Sequence, residues 1–184
     1  MIDSQEKDAM LETTRTWVSK FVIEHNLCPF ARREFDHDRI RFLLSETEKE
    51  AQLLEVLAQA LHGLKSNSAV ETTLIIHPFV LRDFFVYNQF LEKVDGLIEA
   101  LGFEGEFQVA SFHPQYQFAG TDFDDAENYT NRSPYPMLHI LREASLETAL
   151  EQYPNAQQIP DRNIKLMNEL GAPALKKQLD ALIQ

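Results

Sequence analysis

Three side chains in this sequence are suited to proton transfer or nucleophilic attack: His113, His139 and Cys28. Histidine exchanges protons near neutral pH. Cys28 is the only thiol in the chain, and a thiol becomes a nucleophile when its pKa is lowered. Between Phe112 and Glu143 runs a polar stretch that also holds Asp122, Asn128, Asn131, Arg132, Ser133 and Arg142. Within it, Ser133-Pro134 reads as a helix start, with Ser as N-cap and Pro at the first helical position. Free N–H groups there, with Arg132 as a bidentate clamp, would hold a phosphate or carboxylate. Asn131, Ser133 and Arg142 would complete that anion site, with Asp122 and Asn128 in support. The plainer alternative is ordinary capping, with Arg132 paired to Asp122, Asp124 or Asp125.

On the same expected helix, Glu143 lies four residues and Arg142 three residues beyond His139, so both share its face. Glu143 would orient the imidazole and raise its basicity. A surface ion network is the competing reading. His77 and His113 each end a strand-like run and each precedes a proline, which keeps the backbone extended. Adjacent parallel strands would bring both to one sheet edge, where α/β proteins commonly bind ligands. Otherwise each is a local hydrogen-bonding residue.

Cys28 has three readings. It caps a short helix beginning at Pro29, with Arg32 or Arg33 favouring the thiolate. It trails the first helix, whose negative end disfavours a thiolate. Or it is a small buried hydrophobe. His77, His113, His139 and Cys28 are suitable types for a transition metal, but their spacing is too wide for a zinc signature and no metal is assigned. The Asp122–Glu127 acids lack the glycine and terminal glutamate of a calcium loop. No dinucleotide, P-loop, nucleophile-elbow or zincin motif is present, so the sequence implies no particular cofactor.

The frame that must position these residues is regular. Asp3 and Glu6 form a capping box. Leu11, Thr14, Trp17, Val18, Phe21 and Val22 then follow helical spacing to about His25, with Asn26 as a left-handed stop. Arg39–Leu44 reads as a strand, and Ser45 opens a helix through about Leu64. Thr72–His77 is a buried strand. Asp83 starts a third helix that ends at Gly102. Glu106–Phe112 is the third strand. After the polar stretch come the helix at Ser133, a short one capped by Ser145, and two more at Pro160–Leu170 and Ala172–Ile183, parted by Gly171.

This order predicts a compact single-domain α/β sandwich over residues 1–184. The sheet is expected to be small, with three or four mostly parallel strands, and flanked by about six helices. A ferredoxin-like arrangement is the alternative if a fourth strand lies in the irregular region. The composition, 44% hydrophobic and 25% charged, is that of a globular chain. A formal net charge of −12 argues against broad binding to nucleic acid. No run approaches the ~20 apolar residues of a membrane span, and the N-terminus has no secretory pattern. With a single cysteine, these features point to a cytoplasmic setting. Oligomeric state leaves no mark in the sequence.

Three stretches carry a resemblance: Asn26-Leu27-Cys28-Pro29-Phe30-Ala31; Phe112-His113-Pro114; and Asn128 through Pro136 (NYTNRSPYP), followed by His139 and Leu141-Arg142-Glu143. The chain resembles a bacterial family catalogued as domain of unknown function number fourteen-fifteen. The likeness extends from the first helix to Ile159-Pro160-Asp161-Arg162-Asn163. It implies a stand-alone bacterial protein and assigns no reaction. From the residues alone, the favoured expectation is an enzyme acting on a small anionic metabolite by histidine acid/base chemistry. Two others stand beside it. One is a non-catalytic module that binds a metabolite or protein. The other is a loop whose Asn and Arg side chains only satisfy its own backbone.

Overall fold

The structure is a computed structural model and describes residues 2–183. Helix α1 (Ser4–Trp17) begins at the Asp3–Glu6 capping box and runs into a π-helical segment, Val18–Ile23. Asn26 stops it with a φ of 52°. A short α2 (Ala31–Asp36) leads into β1 (Ile40–Leu44). Next come α3 (Glu50–Ser66), β2 (Thr72–Ile76), α4 (Phe84–Ala100) and β3 (Phe107–Phe112). A long connection containing a 3-10 turn, Ala126–Thr130, ends in β4 (Met137–Arg142). Helices α5 (Glu143–Gln152), α6 (Ile159–Leu170) and α7 (Ala172–Leu182) complete the described chain.

The four strands form one mixed sheet in the order β1-β2-β4-β3. β1 and β2 are parallel, joined through α3, while β4 lies antiparallel to both β2 and β3. The expected mostly parallel sheet is therefore corrected to a mixed one, with a fourth strand in the region expected to be irregular and then helical. The cause is β4. The Ser133-Pro134 signal starts no helix, because Tyr135 also precedes a proline, and a residue before proline avoids helical angles. The next five residues, Met-Leu-His-Ile-Leu, make an almost unbroken apolar run, as expected of a central strand buried on both faces. The Ser45 start also moves. Its N–H still pairs with Ile76 O, extending the β1–β2 contact, and α3 begins only at Glu50.

Helices pack on both faces. Leu53, Leu57, Leu61 and Leu64 of α3 join Tyr87, Phe90 and Val94 of α4 over Ile75, Leu138 and Ile140. On the opposite face Trp17, Phe21, Met167, Leu175 and Leu179 cover Leu74, Ile76 and Met137. The alternation of strand side chains assigns each to a face. The sheet thus separates His77 from His139. No described helix is long and apolar enough to cross a membrane.

Candidate functional site

The polar stretch after β3 is ordered by its own side chains. Asn128, fully buried, donates to Asp122 O (2.8 Å) and accepts from Phe118 N (2.9 Å). Asn131 donates to Ser111 O at 3.0 Å. Ser133 donates to Tyr135 O at 2.7 Å, closing a turn in place of a helix cap. Asp122 contributes its backbone, its N–H donating to the Asp125 carboxylate at 2.8 Å. Arg132 is 5% exposed. Its guanidinium donates to Tyr116 O and Phe123 O, and it lies between the rings of Phe123 and Tyr129 at 4.6 and 4.5 Å. No helix N-terminus adjoins it, so the expected helix-dipole anion site lacks its helix.

The other expected partners share no helical face with His139. Arg142 leaves β4 on the α3 side and donates to Leu64 O (2.6 Å), Asn67 O (3.1 Å) and Val70 O (3.1 Å), closing the carbonyl end of α3. Glu143 opens α5 and does not share a helical face with His139, which is in the middle of β4.

His77 and His113 do meet, at the ends of β2 and β3. Both flank the buried ring of Tyr87, with centroids at 5.8 and 5.0 Å. The Tyr87 hydroxyl donates to Met137 O at 2.7 Å and accepts from Phe112 N at 3.1 Å. His77 Nδ1–H donates to Val80 O at 3.1 Å. His113 Nε2–H donates to Leu81 O, and its Nδ1 accepts from Gln115 N at 3.0 Å. These tautomers follow from the partners, since a carbonyl only accepts and an amide N–H only donates. Burial lowers the pKa of both imidazoles, that of His77 to about 4. This pair is a neutral cluster that closes two His-Pro turns.

On the other face of the sheet lies a cavity of about 270 Å³ that is partly open to solvent. Its walls come from α1 and its π-helical extension, α2, the sheet and α5, with Trp17, Val18, Val22, Leu74, Phe112 and Leu146 giving it an apolar surface. A π-helical turn widens the helix by one residue, and such turns recur at functional sites. Here it carries Val18 and Val22 into the wall.

Two of the three expected catalytic side chains, His139 and Cys28, line this cavity, and so does Arg142 of the expected anion site. Register puts His139 between Leu74 of β2 and Ala110 of β3. The Thr72 hydroxyl donates to Ile140 O and so receives His139 Nε2–H, each at 2.5 Å. Nδ1 is left as an acceptor with no partner among the described residues. Burial alone lowers the His139 pKa to about 4, so the ring is neutral at pH 7.

Cys28 sits in the turn between α1 and α2. It does not cap α2, which begins after Phe30. Burial pushes its thiol pKa up, partly offset by backbone hydrogen bonds from Phe30 and Ala31. Arg32 and Arg33 are both exposed. The turn is fixed from α6: Asn163 donates to Leu27 O at 2.8 Å and Arg162 donates to Asn26 O.

At the mouth, Arg39 bridges two acids that also line the cavity. Its Nη2 donates to Glu71 Oε2 at 2.7 Å, and its Nη1 lies 3.2 Å from Glu34 Oε2. A wider opening between α2 and α5 leads there from solvent, past Arg33 and Tyr153. Trp17, Glu34, Arg39, Glu71 and Thr72 carried no motif. The available signals were the Ala-Arg-Arg-Glu run and the charged residues flanking two apolar strands. Among the described residues no group of three or more His, Cys, Asp or Glu is placed to hold a metal. His77 and His113 lie across the sheet from His139 and Cys28.

Fold and site together define an α/β/α protein with a largely apolar pocket lined by a thiol and a neutral imidazole. Residues 9–177 match the model of the family described as "Protein of unknown function (DUF1415)", and the chain belongs to that family. No curated protein and no solved structure matches it.

Proposed function

We propose that this protein binds a small, largely apolar molecule in the cavity beneath α1 and α5, with His139 Nδ1 accepting a hydrogen bond from it. The observation that carries this is the cavity itself: about 270 Å³ of apolar wall with one imidazole edge free of protein partners. Small-molecule sites are commonly of this kind, mostly apolar with a few placed polar groups. At ~30 Å³ per water, the volume equals roughly nine water molecules, which suits a ligand of about that many heavy atoms.

Acid/base catalysis by His139 is the second reading, favoured by its free Nδ1. The magnitude favours binding. Protonating an imidazole of pKa about 4 at pH 7 costs roughly 4 kcal/mol, whereas an efficient base has a pKa near the working pH. Cys28, held as the thiol by burial, contributes a soft wall more readily than a nucleophile.

Trp17 is the only tryptophan and lines the cavity, so its fluorescence reports occupancy. A neutral probe of matching size, 2-phenylethanol, is expected to change that emission saturably and to slow alkylation of Cys28. Ala110→Leu, which fills the cavity opposite His139, should abolish both effects while the protein stays folded. An unchanged probe response in Ala110→Leu would place binding elsewhere and refute the proposal.

A further inference from the structure

Buried polar atoms without partners point to what a protein leaves for its ligand. Among the described residues, the buried side-chain atoms without a hydrogen bond include Trp17 Nε1, Glu34 Oε2 and Glu71 Oε1. All three belong to side chains that line the same cavity. The other two, His77 Nε2 and Thr130 Oγ1, belong to residues outside its wall. The geometry points to a cationic nitrogen on the ligand: we infer that the cavity takes an apolar molecule with an ammonium head, seated against Glu71 and Glu34 at the mouth. This rests on the small-molecule reading above and replaces the anionic ligand expected from the sequence.

Donors, acceptors and charge select the head group. Glu71 Oε2 accepts from Arg39 at 2.7 Å, which leaves Oε1 buried with no donor. Glu34 Oε2 is within 3.2 Å of Arg39 Nη1 but without a hydrogen bond. Two carboxylates therefore share one partly buried guanidinium. Of the other cations nearby, Arg142 also lines the cavity but donates to the carbonyls of Leu64, Asn67 and Val70, and Arg33 is 3.9 Å from Glu34 with its side chain 78% exposed and so screened by water. The two carboxylates only accept, so the partner they lack is a donor, while the Trp17 Nε1–H is itself a donor and is not met by that head group. An ammonium supplies donors and balances the buried negative charge as well. An anion would meet two carboxylates and the wider field of a chain with net charge −12.

Three probes of one shape separate the possibilities: 2-phenylethylamine, 2-phenylethanol and phenylacetate, titrated against Trp17 fluorescence at pH 7 on the full chain. The amine is expected to bind about tenfold tighter than the alcohol, the yield of one charge-assisted hydrogen bond, with the acetate weakest. Glu71→Gln should erase the preference for the amine over the alcohol. Equal affinities of amine and alcohol in the wild type, or a preference that survives Glu71→Gln, would overturn the ammonium assignment while small-molecule binding stands. Absence of saturable binding by all three would overturn both.

Discussion

Removing the Arg132 guanidinium tests whether the long connection is held by its own side chains or waits for an anion. In Arg132→Ala the carbonyls of Tyr116 and Phe123 lose their charged donor, and the Phe123 and Tyr129 rings lose the cation between them. A hydrogen bond from a charged group is worth ~1.5–3 kcal/mol. A cation over an aromatic face adds ~0.5–2 kcal/mol. Water entering the loop recovers part of this, so the expected loss is about 3–5 kcal/mol. For a chain of this size that corresponds to a fall in Tm on the order of 10 °C. Arg132→Lys keeps a charge but not the fork that reaches both carbonyls, and should lose roughly half as much. Urea unfolding with the slope compared between variants gives the measurement. If Arg132→Ala unfolds within about 1 kcal/mol of wild type, while phosphate or acetate stabilises the wild type alone, the side chain is an anion clamp and the structural account is wrong.

The same geometry sets two further outcomes. His77 and His139 have folded pKa values of about 4, below the ~6.5 of an unfolded histidine. As pH falls the unfolded chain takes up protons first, so their contribution is complete above about pH 6.5 and lost on the way to pH 4. Urea midpoints should decline across that window, less steeply in His139→Gln. A wild-type midpoint that is flat from pH 6.5 to 5 would contradict the buried neutral rings. Arg142→Ala frees the carbonyls of Leu64, Asn67 and Val70 and should cost about 2–4 kcal/mol, with faster hydrogen exchange at the end of α3. Protection unchanged there would show that Arg142 does not close that helix.

Much of the frame was legible because its signals are local. The Asp3–Glu6 capping box, the left-handed Asn26, Asp83 capping α4 at Val86 N (3.0 Å) and the Gly171 break all stand where sequence placed them. The leucine spacing of α3 was equally readable, since helical periodicity needs no knowledge of partners. The strand β4 was not. Met137–Leu141 is an apolar run with one histidine, and such a run fits a buried strand and a helix alike. Its pairing with β2 and β3, from chain positions over sixty and 25 to 35 residues away, decided the matter.

The candidate site divides along the same line. Sequence by itself determined which side chains have useful chemistry: the lone thiol, the histidines, the arginine in an aromatic-rich loop. It determined as well that those loop asparagines and arginine need partners, because irregular buried backbone must be hydrogen-bonded. Only the tertiary structure decided which residues share a space. The period-two alternation of β4 sends His139 to one face and Leu138 and Ile140 to the other. Once β4 is a strand, His139 joins Cys28 and Trp17 in the cavity, while Arg132 and Arg142 turn to backbone carbonyls. Glu71 is far along the chain from Glu34 and Arg39, and it joins them at the mouth only because β1 and β2 pair in parallel at Ile40–Thr72.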